Sequence, residues 1–253
     1  MDLKDISNKE HLDKLIAEVF ADYTTMLHGM TNNEATYKKA ALIYYWLRDY
    51  KDYLKNESQF TPNYLPSFQR GNIVNVNLGF NLGSELGGLH YGIVLADSPR
   101  NNPNIVIAPL TSVKKGKEKL HKSELFLGEE LFFKIQGKYT ALKTSIPNEM
   151  KLLSADYINR KAGRSNDFDT RLVELRQRIT LLEKTMHKLQ ALKHGSIAVL
   201  NQIRAVSKMR VSDPTDVYDI LYGLKLSAKA LNALDDKIIE LYVHKKVLTT
   251  DKT

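Results

Sequence analysis

Along the first sixty residues the apolar positions recur at helical spacing. Ser7 and Glu10 stand at capping-box distance, and Leu12, Leu15, Ile16, Val19, Phe20 and Tyr23 then fall on one face. Gly29 and the polar residues 31–33 predict a break, and Thr31 with Glu34 offers a second capping box. Ala41, Tyr44, Tyr45, Leu47 and Leu54 mark a second helix that runs into the proline-containing stretch TPNYLPSFQ. The pattern therefore predicts helices at about 8–28 and 34–55, within a helical extension over residues 1–65.

From residue 70 the period changes to two. GNIVNVNLGF, HYGIVLAD and NIVIAPLTS each read as a strand, separated by the turn-rich segments FNLGSELGG and SPRNNPN. Short strands in succession without helices between them predict an antiparallel sheet or a small barrel. Residues 129–194 are mixed and then strongly helical. Phe168, Leu172, Leu175, Ile179, Leu182, Met186 and Leu189 alternate at spacings of four and three, a coiled-coil-like seam that needs a partner helix. The simplest partner is the helical region 1–55 of the same chain. His194-Gly195 is a plausible helix stop. SIAVLNQIRAVS then reads as one strand, and Asp213-Pro214 as a helix start with an interruption at Gly223. A last helix carries Leu231, Leu234, Ile238 and Leu241 on one face.

Composition narrows the chemistry. With 43% hydrophobic and 26% charged residues among 253, the chain reads as an ordinary folded protein, and a net charge of +8 favours an anionic partner, nucleic acid first. There is no cysteine, so neither a thiolate nucleophile nor a cysteine zinc site is available. Seven histidines are scattered without metal-ligand spacing, so no metal and no cofactor is expected. The N-terminal MDLKDISNKEHLDKL lacks the apolar core of a signal peptide and no apolar run reaches spanning length. The expected location is the cytoplasm, with no membrane partner.

Four ordered segments carry a resemblance. They are RGNIVNVNLGFNLGSELGGLHYGIVL with its Gly83-Ser84-Glu85, VIAPLTS ending at Thr111-Ser112, SIAVLNQIRAVSKMRV with Gln202-x-Arg204, and the C-terminal LSAKALNALDDKIIELYV. Together they resemble the MazF/PemK family of toxins over somewhat under half the chain. The resemblance implies an α+β protein built on a small SH3-like antiparallel β-barrel, here over 66–253. A helical insertion at about 130–194 interrupts it, and with the N-terminal extension forms an added helical module. It also implies a homodimer, a cognate antitoxin protein as partner, and single-stranded RNA as substrate. The family's cleavage needs no metal: the RNA's 2′-hydroxyl attacks the adjacent phosphate, leaving cyclic phosphate and 5′-hydroxyl ends.

The resemblance also assigns residues. Thr111 matches the family's catalytic threonine, and Glu85 a supporting carboxylate. The position of the family's catalytic arginine holds His90, and the proline after it is Tyr91. A guanidinium clamps phosphate but is a poor proton shuttle, whereas an imidazole suits acid–base work. His90 either takes over proton transfer, with Arg204 supplying fixed charge, or marks a copy that has lost activity. Gln202, Arg204, Ser112, Ser84, Asn81 and Tyr91 become RNA contacts on this reading, and Lys114 and Lys115 draw the strand in. Each also has a plainer role: Thr111 as a β-branched strand end, Glu85 as a loop cap, the lysines as a solvated loop, Tyr91 as packing. Two other functions on the same barrel stay open, a non-catalytic RNA- or protein-binding module and a gyrase-inhibiting toxin.

Overall fold

The computed structural model describes residues 2, 4–113, 119–159, 166–193 and 195–243. The chain divides into two compact units, Met1–Gln59 and Phe60–Thr253. The first is a pair of helices, α1 (Lys9–Thr31) and α2 (Glu34–Asn56), packed on each other. Gly29 does not end α1, because the helix carries through to Thr31. The cap of α2 is Asn33, whose side chain accepts the Ala35 N–H at 3.0 Å, while the Thr31 hydroxyl donates back to the His28 carbonyl. At the other end a 3₁₀ turn, opened by the Asp5 carboxylate accepting the Ser7 N–H, stands where Ser7 and Glu10 suggested a capping box.

The second unit is α+β. Its strands are β1 (Ile73–Asn77), β2 (Leu89–Val94), β3 (Asn104–Ser112), β4 (Glu124–Phe126), β5 (Ser196–Val199), β6 (Arg204–Ser207) and β7 (Val211–Asp213). Its helices are α3 (Glu130–Asn159), α4 (Asn166–Ala191) and α5 (Ala228–Tyr242). All the pairings are antiparallel and the order is β4-β5-β3-β2-β1-β7, with β6 also on β3. The sheet is open, ending at β4 and β7, so the expected closed barrel is not formed. Among the described residues no helix is long and apolar enough to cross a membrane.

Strand β3 organises the sheet. One edge meets β2 from Ile107↔Val94 to Pro109↔Gly92. The other edge is shared, residues 104–107 with β6 and residues 110–112 with β5. Because the Leu95 N–H donates to the Val106 carbonyl, residues 106 and 108 address β2, and 107 and 109 address the shared edge. Pro109 therefore sits where that edge passes from β6 to β5, a place that asks for no N–H. The chain crosses the same gap as a 3₁₀ turn, Leu200–Gln202. What reads as one strand over 196–207 is thus two strands, and Gln202 lies in the turn between them.

Alternation along the strands fills two cores. Val74, Val76, Leu78, Val94, Ile105, Ile107 and Val206 pack together on one face. Ile73, Ile93, Ala108, Leu110 and Ala198 join the apolar faces of α3, α4 and α5 on the other. The partner of the α4 seam is α3, within the same unit, where the sequence suggested residues 1–55. Leu142, Ile146 and Leu153 of α3 meet Leu175 and Leu181 of α4, and the Arg178 guanidinium pairs with Glu149 across them. Helix α3 continues through Pro147, which hides it in the sequence. The buried stripe of α4 also extends past the heptad to Leu181 and Thr185, and the Thr185 hydroxyl is satisfied by the Leu181 carbonyl at 2.6 Å.

Asp213-Pro214 does not begin a helix. The residues after it form turns, held by the Asp213 carboxylate accepting the Leu221 N–H at 2.8 Å and by Asp219 accepting from the Thr215 N–H and hydroxyl. Helix α5 starts later, capped by Ser227, whose side chain accepts the Ala230 N–H at 3.2 Å and donates to Glu130 of α3 at 2.9 Å.

Candidate functional site

Where β2 begins and β3 ends, the sheet edge and the C-terminal end of α4 enclose a cleft of about 390 Å³. Three consecutive residues from each strand reach it, 89–91 and 110–112, so His90, Tyr91, Thr111 and Ser112 line one cleft. Asn75 from β1 joins them, and α4 with the residues after it contributes Lys188 and Lys193. Both of these cations come from helix α4 and the residues that follow it.

His90 is held by its ring. Nδ1 lies 2.9 Å from the Leu110 carbonyl oxygen. A carbonyl only accepts, so Nδ1 carries the hydrogen and in the neutral ring Nε2 is the nitrogen with the free lone pair. The next strand thus orients the imidazole of a residue that lines the cleft. Thr111 and Ser112 are half-buried and line the same cleft, their backbones fixed by pairing with Ile197 and Ser196 of β5. Gly195, at φ +78°, closes the wall; a Cβ there would lie 2.7 Å from Val113 Cγ2.

Behind this group a polar row crosses the helix-covered face of the sheet. Asp213 of β7 pairs with Asn75 of β1, and Asn75 pairs with Tyr91 of β2. The Tyr91 hydroxyl is buried and has no hydrogen-bond partner among the described residues, while Lys188 Nζ stands 4.9 Å from the centre of its ring. Burial raises the Tyr91 pKa, and Lys188 opposes the rise. Burial likewise pushes the Asp213 carboxyl up to about 6, against the Leu221 N–H, Lys188 and Lys138. Lys138 is lowered by burial and donates to the Asp219, Ile220 and Tyr222 carbonyls at 2.7, 3.0 and 3.2 Å, which pins the turn behind Asp213.

The other expected site residues lie elsewhere. Ser84 and Glu85 are exposed in the glycine-rich loop and do not line the cleft. Asn81 closes that loop from within, donating to the Leu78 and Leu86 carbonyls at 3.2 and 2.7 Å. Gly87 lets the backbone approach itself, since a Cβ there would meet the Gly79 carbonyl at 2.7 Å. Gln202 grips the loop with both ends of its amide, accepting the Leu86 N–H at 2.6 Å and donating to the Ser84 carbonyl at 3.1 Å. Arg204 in turn donates to the Gln202 side-chain oxygen at 3.2 Å. These two side chains therefore brace a loop and do not line the cleft. Lys114 and Lys115 lie outside the described residues.

Sequence reading missed Asn75, Lys188, Lys193 and Asp213. Only Asn75 left a signal there, as a polar residue on the face that Ile73 shares. Among the described residues no group of three or more His, Asp or Glu side chains gathers as a metal site. No family model matches this chain, and no curated protein matches it.

Proposed function

We propose that the chain is a toxin-type endoribonuclease of the MazF/PemK kind, acting on single-stranded RNA without a metal at the His90 cleft. The observation that carries this reading is the His90 ring, tied at Nδ1 to the Leu110 carbonyl and lining one cleft with Thr111, Ser112 and two lysines. An imidazole acceptor, two hydroxyl donors and nearby ammonium groups are what an internal phosphoryl transfer requires.

In this mechanism Nε2 of His90 takes the proton from the 2′-hydroxyl as that oxygen attacks phosphorus. The bond from phosphorus to the 5′ oxygen breaks, and the leaving oxygen takes its proton from water. The cyclic phosphate stays on the 3′ side, and the imidazolium returns its proton to solvent. Thr111 donates to a non-bridging oxygen, and Lys193 balances the charge that builds on the phosphorane. The family's strand-borne arginine is thereby replaced in two parts, proton transfer by His90 and positive charge by the insertion.

The reading brings partners with it: a homodimer, an antitoxin protein that covers the cleft, and messenger RNA. Its test is a defined RNA carrying a single 2′-deoxy substitution at the cut position, which should resist cleavage while the unmodified strand is cut. Equal cleavage of both strands overturns attack by the 2′-hydroxyl.

A further inference from the structure

Nothing in the cleavage chemistry uses the Asn75–Tyr91 end of the cleft, yet that end sets a buried hydroxyl and a free carboxamide side by side on an otherwise apolar face. The Asn75 carboxamide lines the cleft, is half-buried and has no hydrogen-bond partner among the described residues. Tyr91, its cross-strand partner, buries a hydroxyl that makes no hydrogen bond of ordinary geometry and has the Lys188 ammonium nearby. Buried polar groups left unpaired disfavour folding unless something else completes them. The walls around them are apolar, supplied by Leu110, Leu131 and Leu192.

Charge separates the two ends of the cleft. Asp213 stands behind Asn75 in the strand pairing, and it interacts electrostatically with both Tyr91 and Lys188. A carboxylate there opposes a phosphate and partly balances Lys188. Among the described residues no carboxylate lines the cleft itself, and Asp213 lies behind its Asn75 end, away from His90 and Thr111. A phosphate therefore belongs at His90, and the group beside it is neutral, flat and edged with donors and acceptors. That describes a nucleobase. The carboxamide offers a donor and an acceptor together, the phenol a donor, and the Lys188 ammonium a donor held over the tyrosine ring.

We infer that Asn75, Tyr91 and Lys188 form a nucleobase subsite next to the reacting phosphate, so that helix α4 of the insertion takes part in selecting the RNA. The subsite rests on the ribonuclease reading of the cleft. Lys188 is in this sense a specificity-determining residue, and Asn75 reads the base edge.

The test is binding of four 2′-fluoro RNA homotetramers, of A, C, G and U, which have no 2′-hydroxyl and so are not cut. The full-length protein should bind one of them about tenfold or more tightly than the weakest, the scale of one well-placed pair of hydrogen bonds to a base. Asn75→Ala should reduce that preference to under about threefold. Tyr91→Phe removes one oxygen and keeps the packing, and should weaken the preferred tetramer alone. His90→Ala should keep the preference. A parent that binds all four alike, or none of them, overturns the subsite, as does an unchanged preference in Asn75→Ala and Tyr91→Phe. Cleavage of matching RNA is scored separately. Base preference without cleavage leaves the subsite and removes the ribonuclease, whereas cleavage without preference does the reverse.

Discussion

Gln202 and Leu86 are 116 residues apart in the chain, yet the Gln202 side-chain oxygen accepts the Leu86 N–H at 2.6 Å. Its amide nitrogen reaches the Ser84 carbonyl of the same loop. Replacing Gln202 by alanine leaves a part-buried N–H without its acceptor and costs about 1–3 kcal/mol of stability. The expected outcome is a lower denaturation midpoint with affinity for short RNA nearly unchanged. If binding collapses while the midpoint stays put, Gln202 touches RNA and the bracing role is wrong.

Asp213 predicts a pH dependence of stability. Its carboxyl sits at about 6 in the folded protein, above the ordinary 3.8, so between those values the folded state binds more protons than the unfolded one. Stability then falls as pH rises from about 4 through 6, by on the order of 3 kcal/mol at most. Asp213→Asn keeps an acceptor for the Leu221 N–H and removes the titration. Denaturant midpoints measured from pH 4 to 8 should lose this downward component in the variant. The same slope in parent and variant rules Asp213 out as its source.

Removal of residues 1–59 should leave the rest of the protein folded. The α4 seam is covered by Leu142, Ile146 and Leu153 of α3 within the second unit, so truncation does not bare it. The truncated protein should melt cooperatively and bind little hydrophobic dye. Leu142→Ala in the full chain, by contrast, should cost about 2–5 kcal/mol. Aggregation of the truncated chain would show that the first unit covers surface the second needs.

The strands β1, β2 and β3 were legible because alternation survives wherever one face is apolar, as Val74, Val76 and Leu78 show against Ile73 and Asn75. Helix α3 was not, since Pro147 mimics a break that packing against α4 overrides. The division of 196–207 was hidden because it depends on Pro109, on a different strand. The cleft was half legible. Motif order pointed to His90, Tyr91, Thr111 and Ser112, which meet. Gln202 and Arg204 look like residues on one strand face, and only the turn between β5 and β6 shows that they serve the loop. Lys188 was illegible, because a lysine on a heptad helix reads as solvated until the fold lays it over Tyr91.

Replacing His90 by alanine removes the nitrogen that the Leu110 carbonyl orients. Cleavage should slow by about a hundredfold or more, the usual scale for a lost acid–base group. RNA affinity should change far less, since Lys188 and Lys193 remain. An alanine variant as fast as the parent would place the active site elsewhere.

The most direct measurement is end-group analysis of a defined single-stranded RNA after incubation with the purified protein in excess EDTA. Cleavage to 2′,3′-cyclic phosphate and 5′-hydroxyl ends, lost in His90→Ala, is the expected result. An absolute need for magnesium, 5′-phosphate products, or intact RNA throughout would contradict a His90-centred ribonuclease.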